Sequence, residues 1–229
     1  MPETPPRLLI AAHGTASAAG TATTHALVEA VRAARPAVAL SVSFLDVAEP
    51  RLPVVLADSP GPLVLLPLLL STGYHVQVDI PAAVAGRPDV RIARHLGPHP
   101  LLTEALIDRL PAGDGAVALV GSGSSRSEAA AELAKAGALL ADRLAAPVTV
   151  LTMADDLHAR LSSLPPLRRV ATYLLAEGRF VDLLRDAAAS VAVVAPPIGA
   201  HPALVRLVWT RYDEAMDAAQ RPERPGTFG

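Results

Sequence analysis

The sequence predicts an α/β protein made of two tandem, pseudo-symmetric lobes, each a mostly parallel four-stranded sheet flanked by helices. Three observations support this fold class. Apolar strand-like runs alternate with Ala-rich, helix-like segments along the whole 229-residue chain, as in βαβ units. A turn-rich segment at residues 111–115 interrupts the pattern, which then restarts. Similar residues also recur at offsets of 102 to 109 positions. We therefore predict an N-terminal lobe of residues 1–112 and a C-terminal lobe of residues 113–229.

In the first half, the strands are predicted from short apolar runs and the helices from Ala content and apolar spacing. The clearest run covers residues 63–70 (LVLLPLLL), and such a continuous run is typical of a strand buried on both faces. The helix at residues 18–35 follows from its Ala content and from Leu27, Val28 and Val31. The predicted strands are residues 8–12, 38–45, 63–70 and 89–93. The predicted helices are residues 18–35, 52–57 and 101–110, and residues 79–81 open or interrupt a further helix.

The second half repeats this order of elements. A loop of small residues at 121–125 precedes a long Ala-rich helix, as the exit of the first strand does in the first half. The predicted strands are residues 117–120, 148–151, 169–175 and 191–195, and the helices are residues 127–144, 157–161, 180–188 and 202–219. Residues 221–229 are expected to form an irregular tail.

The repeat separates structural residues from functional ones. The motif Gly97-Pro-His99-Pro100 corresponds to Gly199-Ala-His201-Pro202, at an offset of 102 residues. Each copy lies between a predicted strand and a predicted helix, and proline is well accepted in the first turn of a helix. Because both halves keep the histidine, we expect His99 and His201 to be structural.

Three other polar residues occur in the first half alone. Histidine 13, aspartate 46 and histidine 75 correspond to Ser122, Thr152 and Phe180 in the second half, which are not comparable metal ligands. His13, Asp46 and His75 all follow predicted strands, and ligands of parallel sheets collect at the carboxyl ends of the strands. Two imidazoles and a carboxylate can bind a divalent transition metal or transfer protons.

If the Phe180 ring is buried, replacing it with Ala should cost stability.

Composition excludes several classes of function. The net charge of −2 gives no support to nucleic-acid binding. The chain has no cysteine, which excludes disulfides, Cys-ligated zinc and Cys-ligated iron–sulfur clusters. No nucleotide-binding loop is recognised, so we expect neither a redox nor a nucleotide cofactor. The longest apolar run is too short to cross a bilayer, and the N-terminus does not resemble a signal peptide. We expect a cytoplasmic protein without membrane association.

The motifs of the first half carry a family resemblance. They are His13-Gly-Thr15, Phe44-Leu-Asp46-x-x-Glu49-Pro50, and Leu68-Leu-Leu-Ser-Thr-Gly-Tyr-His75-x-x-x-Asp79-Ile-Pro81. Together they resemble the class II chelatases, enzymes that insert metal into sirohydrochlorin in sirohaem and cobalamin biosynthesis. The similarity extends over residues 8–212, as in the longer, two-lobed members of that family.

The resemblance implies roles for individual residues. It implies that His13 and His75 are the metal-binding and catalytic pair. Asp46 takes the acidic catalytic position, where the family commonly has glutamate; Glu49, one helical turn onward, is the alternative. The expected substrate-binding residues are Ser71, Thr72, Gly73, Tyr74 and Arg126, with Arg51 and Arg179 as further basic candidates.

The implied activity is insertion of Fe²⁺ or Co²⁺ into sirohydrochlorin, a tetrapyrrole bound between the lobes. Ni²⁺ is a third metal that such ligands accept. Two alternatives stay open: a chelatase for another tetrapyrrole, through porphyrin or nickel insertion, and a non-catalytic protein that binds a metal or a tetrapyrrole. Because two lobes in one chain can mimic a dimer of single lobes, we expect a monomer, with a dimer as the alternative.

Overall fold

A computed structural model describes residues 5–113, 115–124, 126–164 and 169–220, and the predicted tail lies outside them. The N-terminal lobe contains β1 (Arg7–Ala12), α1 (Ala18–Ala34), β2 (Leu40–Phe44), α2 (Leu52–Ala57), β3 (Leu63–Leu68), a π-helical turn (His75–Asp79), α3 (Ile80–Ala83), β4 (Val90–Ile92) and α4 (Pro100–Arg109). The C-terminal lobe contains β5 (Val117–Gly121), α5 (Ser127–Leu144), β6 (Val148–Thr152), α6 (Leu157–Ser162), β7 (Arg169–Tyr173), α7 (Arg179–Ala188), β8 (Val193–Val194) and α8 (Pro202–Gln220). No helix within these described ranges combines the length and apolar character needed to cross a membrane.

The two lobes contain equivalent four-stranded sheets. The strand order is β2-β1-β3-β4 in the first sheet and β6-β5-β7-β8 in the second. All the pairings between these strands are parallel. The inner strands β1 and β3 are almost wholly buried, as their continuous apolar sequence predicts. The predicted fold class is confirmed.

Several strands end earlier than the sequence predicts. The third strand ends at Leu68 instead of residue 70, and the seventh at Tyr173 instead of residue 175. The physical reason is the lack of a neighbouring strand: β1 ends at Ala12, which pairs with Leu68, and β5 ends at Gly121, which pairs with Tyr173. The apolar residues that follow therefore leave the sheet and build the loops above it.

The last helix of each half packs on the opposite lobe. Helix α4 contacts α5 and β7, whereas α8 contacts α1 and β3. Arg109 of α4 donates a hydrogen bond to the Ile198 carbonyl at 3.1 Å, and Arg211 of α8 donates to the Leu96 carbonyl at 3.0 Å. The same offset of 102 residues relates Arg109 to Arg211 and Leu96 to Ile198. The contact is therefore reciprocal, and one hydrophobic core extends through both lobes.

The two repeated histidines, His99 and His201, cap the N-termini of α4 and α8. The Nδ1 atom of His99 accepts a hydrogen bond from the Leu101 amide at 3.1 Å, and Nδ1 of His201 accepts one from the Ala203 amide at the same distance. Each imidazole thus satisfies one of the free amides at a helix N-terminus. The structure confirms that these histidines are structural, and it explains why both halves keep them.

The His99 cap predicts a pH-dependent stability. Burial, with a smaller contribution from Arg211, holds the pKa of His99 below its ordinary value. The unfolded chain therefore binds a proton more readily than the folded chain, so the free energy of unfolding falls as pH drops below about 6.5. Protonation would also turn the accepting Nδ1 into a donor and remove the cap. We expect His99→Ser, which keeps a capping oxygen, to show a weaker fall in stability between pH 8 and pH 5.

Urea unfolding of wild type and His99→Ser at several pH values measures this difference. His95, whose pKa is also lowered by burial, keeps part of the pH dependence in the variant. Identical pH profiles for the two proteins would contradict the prediction.

Candidate functional site

A cavity lies between the lobes at the carboxyl ends of the inner strands. Its volume is about 870 Å³, within the range of small-molecule sites, roughly 300–1,000 Å³. The lining comes from both halves of the chain: residues 12–16, 68–73, 122–124 and 173–181, with Thr24, Val47, His75 and Leu183. This is the edge of a parallel sheet at which ligands are expected.

The structure brings His13 and His75 together on the wall of this cavity. Their ring centroids are 4.9 Å apart and the ring planes are nearly perpendicular, at 82°. Strand pairing explains this, because Ala12 at the end of β1 lies beside Leu68 at the end of β3. His13 follows β1 directly, and His75 begins the π-helical turn that follows β3. Segments of π-helix are rare in proteins, and those that occur are often found at functional sites.

The carboxylate of Asp79 orients the His75 ring. His75 Nδ1 lies 2.5 Å from Asp79 Oδ2, four residues onward in the same helical segment. With the proton on Nδ1, the Nε2 atom keeps its lone pair and can bind a metal. Sequence reasoning assigned no role to Asp79, although the spacing of four residues was the signal that could have identified it.

The backbone of Gly14 lets the loop after β1 approach the loop after β2. Its φ angle is +95°, and a Cβ atom at this position would lie 1.9 Å from the Asp46 carbonyl oxygen. The Asp46 amide also donates a hydrogen bond to the His13 carbonyl, at 2.9 Å. A side chain at position 14 would therefore push the two loops apart and move His13.

The Asp46 carboxylate has other partners than the histidine rings. It accepts hydrogen bonds from the Val47 amide at 2.8 Å and from Arg51 Nη1 at 3.3 Å. These two bonds hold the pKa of Asp46 below its usual range, and the bond from the Val47 amide makes the larger contribution. Across the described residues, no three His, Asp or Glu side chains form a group arranged to hold a metal ion. The structure thus joins His13 to His75, while Asp46 is paired with Arg51.

The predicted substrate-binding residues divide between the cavity and its surroundings. Three of them, Ser71, Thr72 and Gly73, line the cavity, whereas Tyr74 is not part of the lining and is 61% exposed. The Arg126 guanidinium donates a hydrogen bond to Gln77 of the π-helical turn. Of the basic candidates named from the sequence, Arg179 is the one that lines the cavity.

The second half contributes unlike residues to the same cavity. The counterparts of His13 and His75, Ser122 and Phe180, both line it. The counterpart of Asp46, Thr152, instead donates hydrogen bonds to Asp155 from its amide and its hydroxyl, at 2.7 and 2.9 Å. Phe180 is 48% exposed, so the condition for a large stability cost on its replacement is not met.

Comparison with known proteins agrees with this picture. The sequence model of the CbiX family matches residues 7–112, the N-terminal lobe. A sequence comparison with curated proteins gives no match.

Solved structures resemble the chain over nearly its full length. The sirohydrochlorin chelatase SirB from Bacillus subtilis subspecies spizizenii, in complex with cobalt, is similar with a TM-score of 0.81 and 20% identity, over 95% of this chain and 98% of that one. SirB from Bacillus subtilis with Fe³⁺ gives a TM-score of 0.76 and 20% identity over the same shares of the two chains. CbiX, the terminal enzyme of sirohaem biosynthesis in denitrifying bacteria, gives 0.70 and 21% identity over 91% and 99%. At these identities the likeness establishes the fold.

Proposed function

We propose that this chain, whose residues 7–112 match the CbiX family model and whose fold is similar to that of the two-lobed sirohydrochlorin chelatase SirB, inserts Fe²⁺ or Co²⁺ into sirohydrochlorin. The observation that carries the proposal is the pair His13 and His75, held 4.9 Å apart on the wall of a cavity of about 870 Å³. The solved relatives are sirohydrochlorin chelatases with bound cobalt or iron, which supports both the substrate and the metals. The pathway served would be sirohaem or cobalamin biosynthesis.

The histidine pair suits the chemistry of metal insertion. Neutral imidazole is a good ligand for Fe²⁺ and Co²⁺, and two of them hold the ion without enclosing it. Insertion releases two pyrrole protons for each metal ion that enters the macrocycle. As each imidazole gives up the metal, its free nitrogen lone pair can accept one of these protons. Two histidines therefore balance the two protons, and the Asp79 carboxylate keeps the His75 ring oriented.

Asp46 would act in this scheme through its charge. Its lowered pKa makes it a weak proton acceptor, but its negative charge faces the loop that carries His13. We assign it the role of holding that loop, through its amide on the His13 carbonyl and its charge beside His13, and Glu49 is the alternative acidic residue.

A direct test of this function is anaerobic incubation of the protein with sirohydrochlorin and Co²⁺ or Fe²⁺, followed by absorption. We expect insertion faster than the non-enzymatic rate, and slower insertion with a porphyrin that carries few carboxylates. Comparable rates with both macrocycles would favour the alternative of a general tetrapyrrole chelatase. Binding of Co²⁺ with no acceleration would favour the alternative of a non-catalytic carrier.

Phe180 should contribute to macrocycle binding. Its ring is half exposed on the cavity wall, at the position equivalent to His75, where an aromatic face can stack on a tetrapyrrole. We expect Phe180→Ala to raise KM for sirohydrochlorin by about two- to tenfold, corresponding to about 0.5–1.5 kcal/mol for an aromatic contact, while the melting temperature changes little. Steady-state kinetics and thermal unfolding test this together. An unchanged KM would exclude a role in binding.

We also propose that the chain acts as a monomer. The reciprocal contacts of Arg109 and Arg211 join the halves as two chains would be joined in a dimer of single lobes. Sedimentation equilibrium would show a single species of 23.6 kDa if this is correct.

A further inference from the structure

A carboxylate of the C-terminal lobe reaches across the lobe boundary to the loop that precedes His75. Glu132 lies on α5, and its Oε2 atom accepts a hydrogen bond from the Thr72 amide at 2.6 Å. Its Oε1 atom accepts from the Thr72 hydroxyl at 3.3 Å and pairs with His95 Nε2 at 3.0 Å. Thr72 and His95 both belong to the N-terminal lobe, so one side chain fixes two of its segments.

The surroundings of this contact are tightly packed. His95 is 8% exposed and Tyr173 is 4% exposed. The Tyr173 hydroxyl donates a hydrogen bond to the Leu70 carbonyl at 3.4 Å, and burial raises the pKa of this phenol, which therefore stays a donor. A Cβ atom on Gly97 would lie 2.2 Å from that hydroxyl. The loop is thus held on both sides of its turn, at Leu70 and at Thr72.

The position of this loop sets the position of His75. The Gly73 carbonyl accepts a hydrogen bond from the Gln77 amide at 3.1 Å, so the helical segment that carries His75 starts directly after Thr72. A displacement of Thr72 would therefore be passed to the imidazole through two residues of backbone.

The second half has no equivalent clamp among the residues that the structure describes. The offset of 109 residues that relates His13 to Ser122 relates Thr23 to Glu132, and the offset of 105 that relates His75 to Phe180 relates Thr72 to Glu177. The Thr23 hydroxyl donates to its own helix, and Glu177 pairs with Arg185 in its own lobe, at 2.9 Å. The Arg109 and Arg211 contacts and the His99 and His201 caps occur in both halves. Among the described residues, the contact from Glu132 to Thr72 occurs only at the loop of the N-terminal lobe, which also carries the histidine pair. A purely structural contact would be expected in both halves.

We propose that Glu132 is a positioning residue: through Thr72 it fixes, from the opposite lobe, the place of the His75 imidazole on the cavity wall. The inference rests on the proposed role of His75 as a metal ligand. The hydrogen-bond partners of Glu132 are Thr72 and His95, not His13 or His75, so it acts on the imidazole through the loop that contains Thr72.

The test combines nuclear magnetic resonance of the metal-free protein with insertion kinetics. We expect Glu132→Ala to increase hydrogen exchange of the Thr72 amide by about tenfold and to shift or broaden the His75 imidazole signals. We expect kcat for Co²⁺ insertion into sirohydrochlorin to fall by about tenfold, as for a misplaced catalytic group, with KM changed less than about twofold.

Three further variants separate positioning from other effects. Glu132→Gln keeps an oxygen acceptor for the Thr72 amide and should recover most of kcat, whereas Glu132→Asp, one methylene shorter, should lie between Ala and wild type. The matched control is Glu128→Gln, an exposed glutamate in the first turn of the same helix, which should behave as wild type. If Glu132→Ala does not fold, Glu132→Asp provides the same measurements.

Unchanged Thr72 exchange and His75 signals in Glu132→Ala and Glu132→Asp would overturn the proposal. A displaced loop with an unchanged kcat would also overturn it. If the wild-type protein inserts no metal, the proposed function fails; the His75 signals of the metal-free variants would then still decide whether Glu132 positions that ring.

Discussion

Replacing His75 with Ala should lower the rate of metal insertion into sirohydrochlorin at least about tenfold, the lower range for losing a positioned acid–base group. His13→Ala should have a similar effect. The reason is geometric: the two rings are 4.9 Å apart, so a metal held by one is within reach of the other. Removing either imidazole removes a metal ligand and one of the two proton acceptors.

The double variant gives a sharper version of this prediction. Because the two histidines would act as one unit, His13→Ala with His75→Ala should be little slower than either single variant. The matched control is His158→Ala, since His158 is exposed on α6 and is not part of the cavity lining. Wild-type rates in the His13 and His75 variants, measured by stopped-flow absorption, would exclude this site assignment.

Replacing Trp209 with Ala should reduce the free energy of unfolding by about 3–5 kcal/mol, the usual cost of removing a buried aromatic ring. Trp209 lies on α8, is 4% exposed, and donates its indole N–H to the Val31 carbonyl of α1 at 3.2 Å. The Arg35 guanidinium lies 4.7 Å from the ring centroid. The ring thus joins the last helix of the chain to the first lobe.

The matched control for this loss of stability is Phe180→Ala, which removes another aromatic ring from a half-exposed position. We expect its cost in urea unfolding to be well below that of Trp209→Ala. Similar urea unfolding midpoints for the two variants would show that the packing of α8 on the N-terminal lobe contributes little to stability.

The fold and the histidine pair were accessible from the sequence because local patterns encode them. Continuous apolar runs such as residues 63–70 identify inner parallel strands, and polar residues at their exits must meet at one sheet edge. The repeat added a second signal, since His99 and His201 recur while His13 and His75 do not.

Long-range pairing was not accessible in the same way. Nothing local in an Ala-rich helix indicates that Glu132 reaches the Thr72 amide 60 residues away. The packing of α4 and α8 on the opposite lobes depends on how the lobes dock, and an amphipathic helix can cover either lobe equally well. Strand ends such as Leu68 were overestimated because apolar composition continues past the last residue that has a pairing partner. Asp79 is an exception, because its spacing of four residues from His75 is visible in the sequence and places the two side chains on one face of a helical segment.

The most direct test of the central claim, that His13 and His75 hold the metal before its transfer, is X-ray absorption spectroscopy of the Co²⁺-loaded protein without tetrapyrrole. The account predicts scattering from two imidazole rings in the wild-type protein, from one ring in His13→Ala or His75→Ala, and from two in His158→Ala. An imidazole contribution that stays the same when His13 and His75 are both replaced would contradict it.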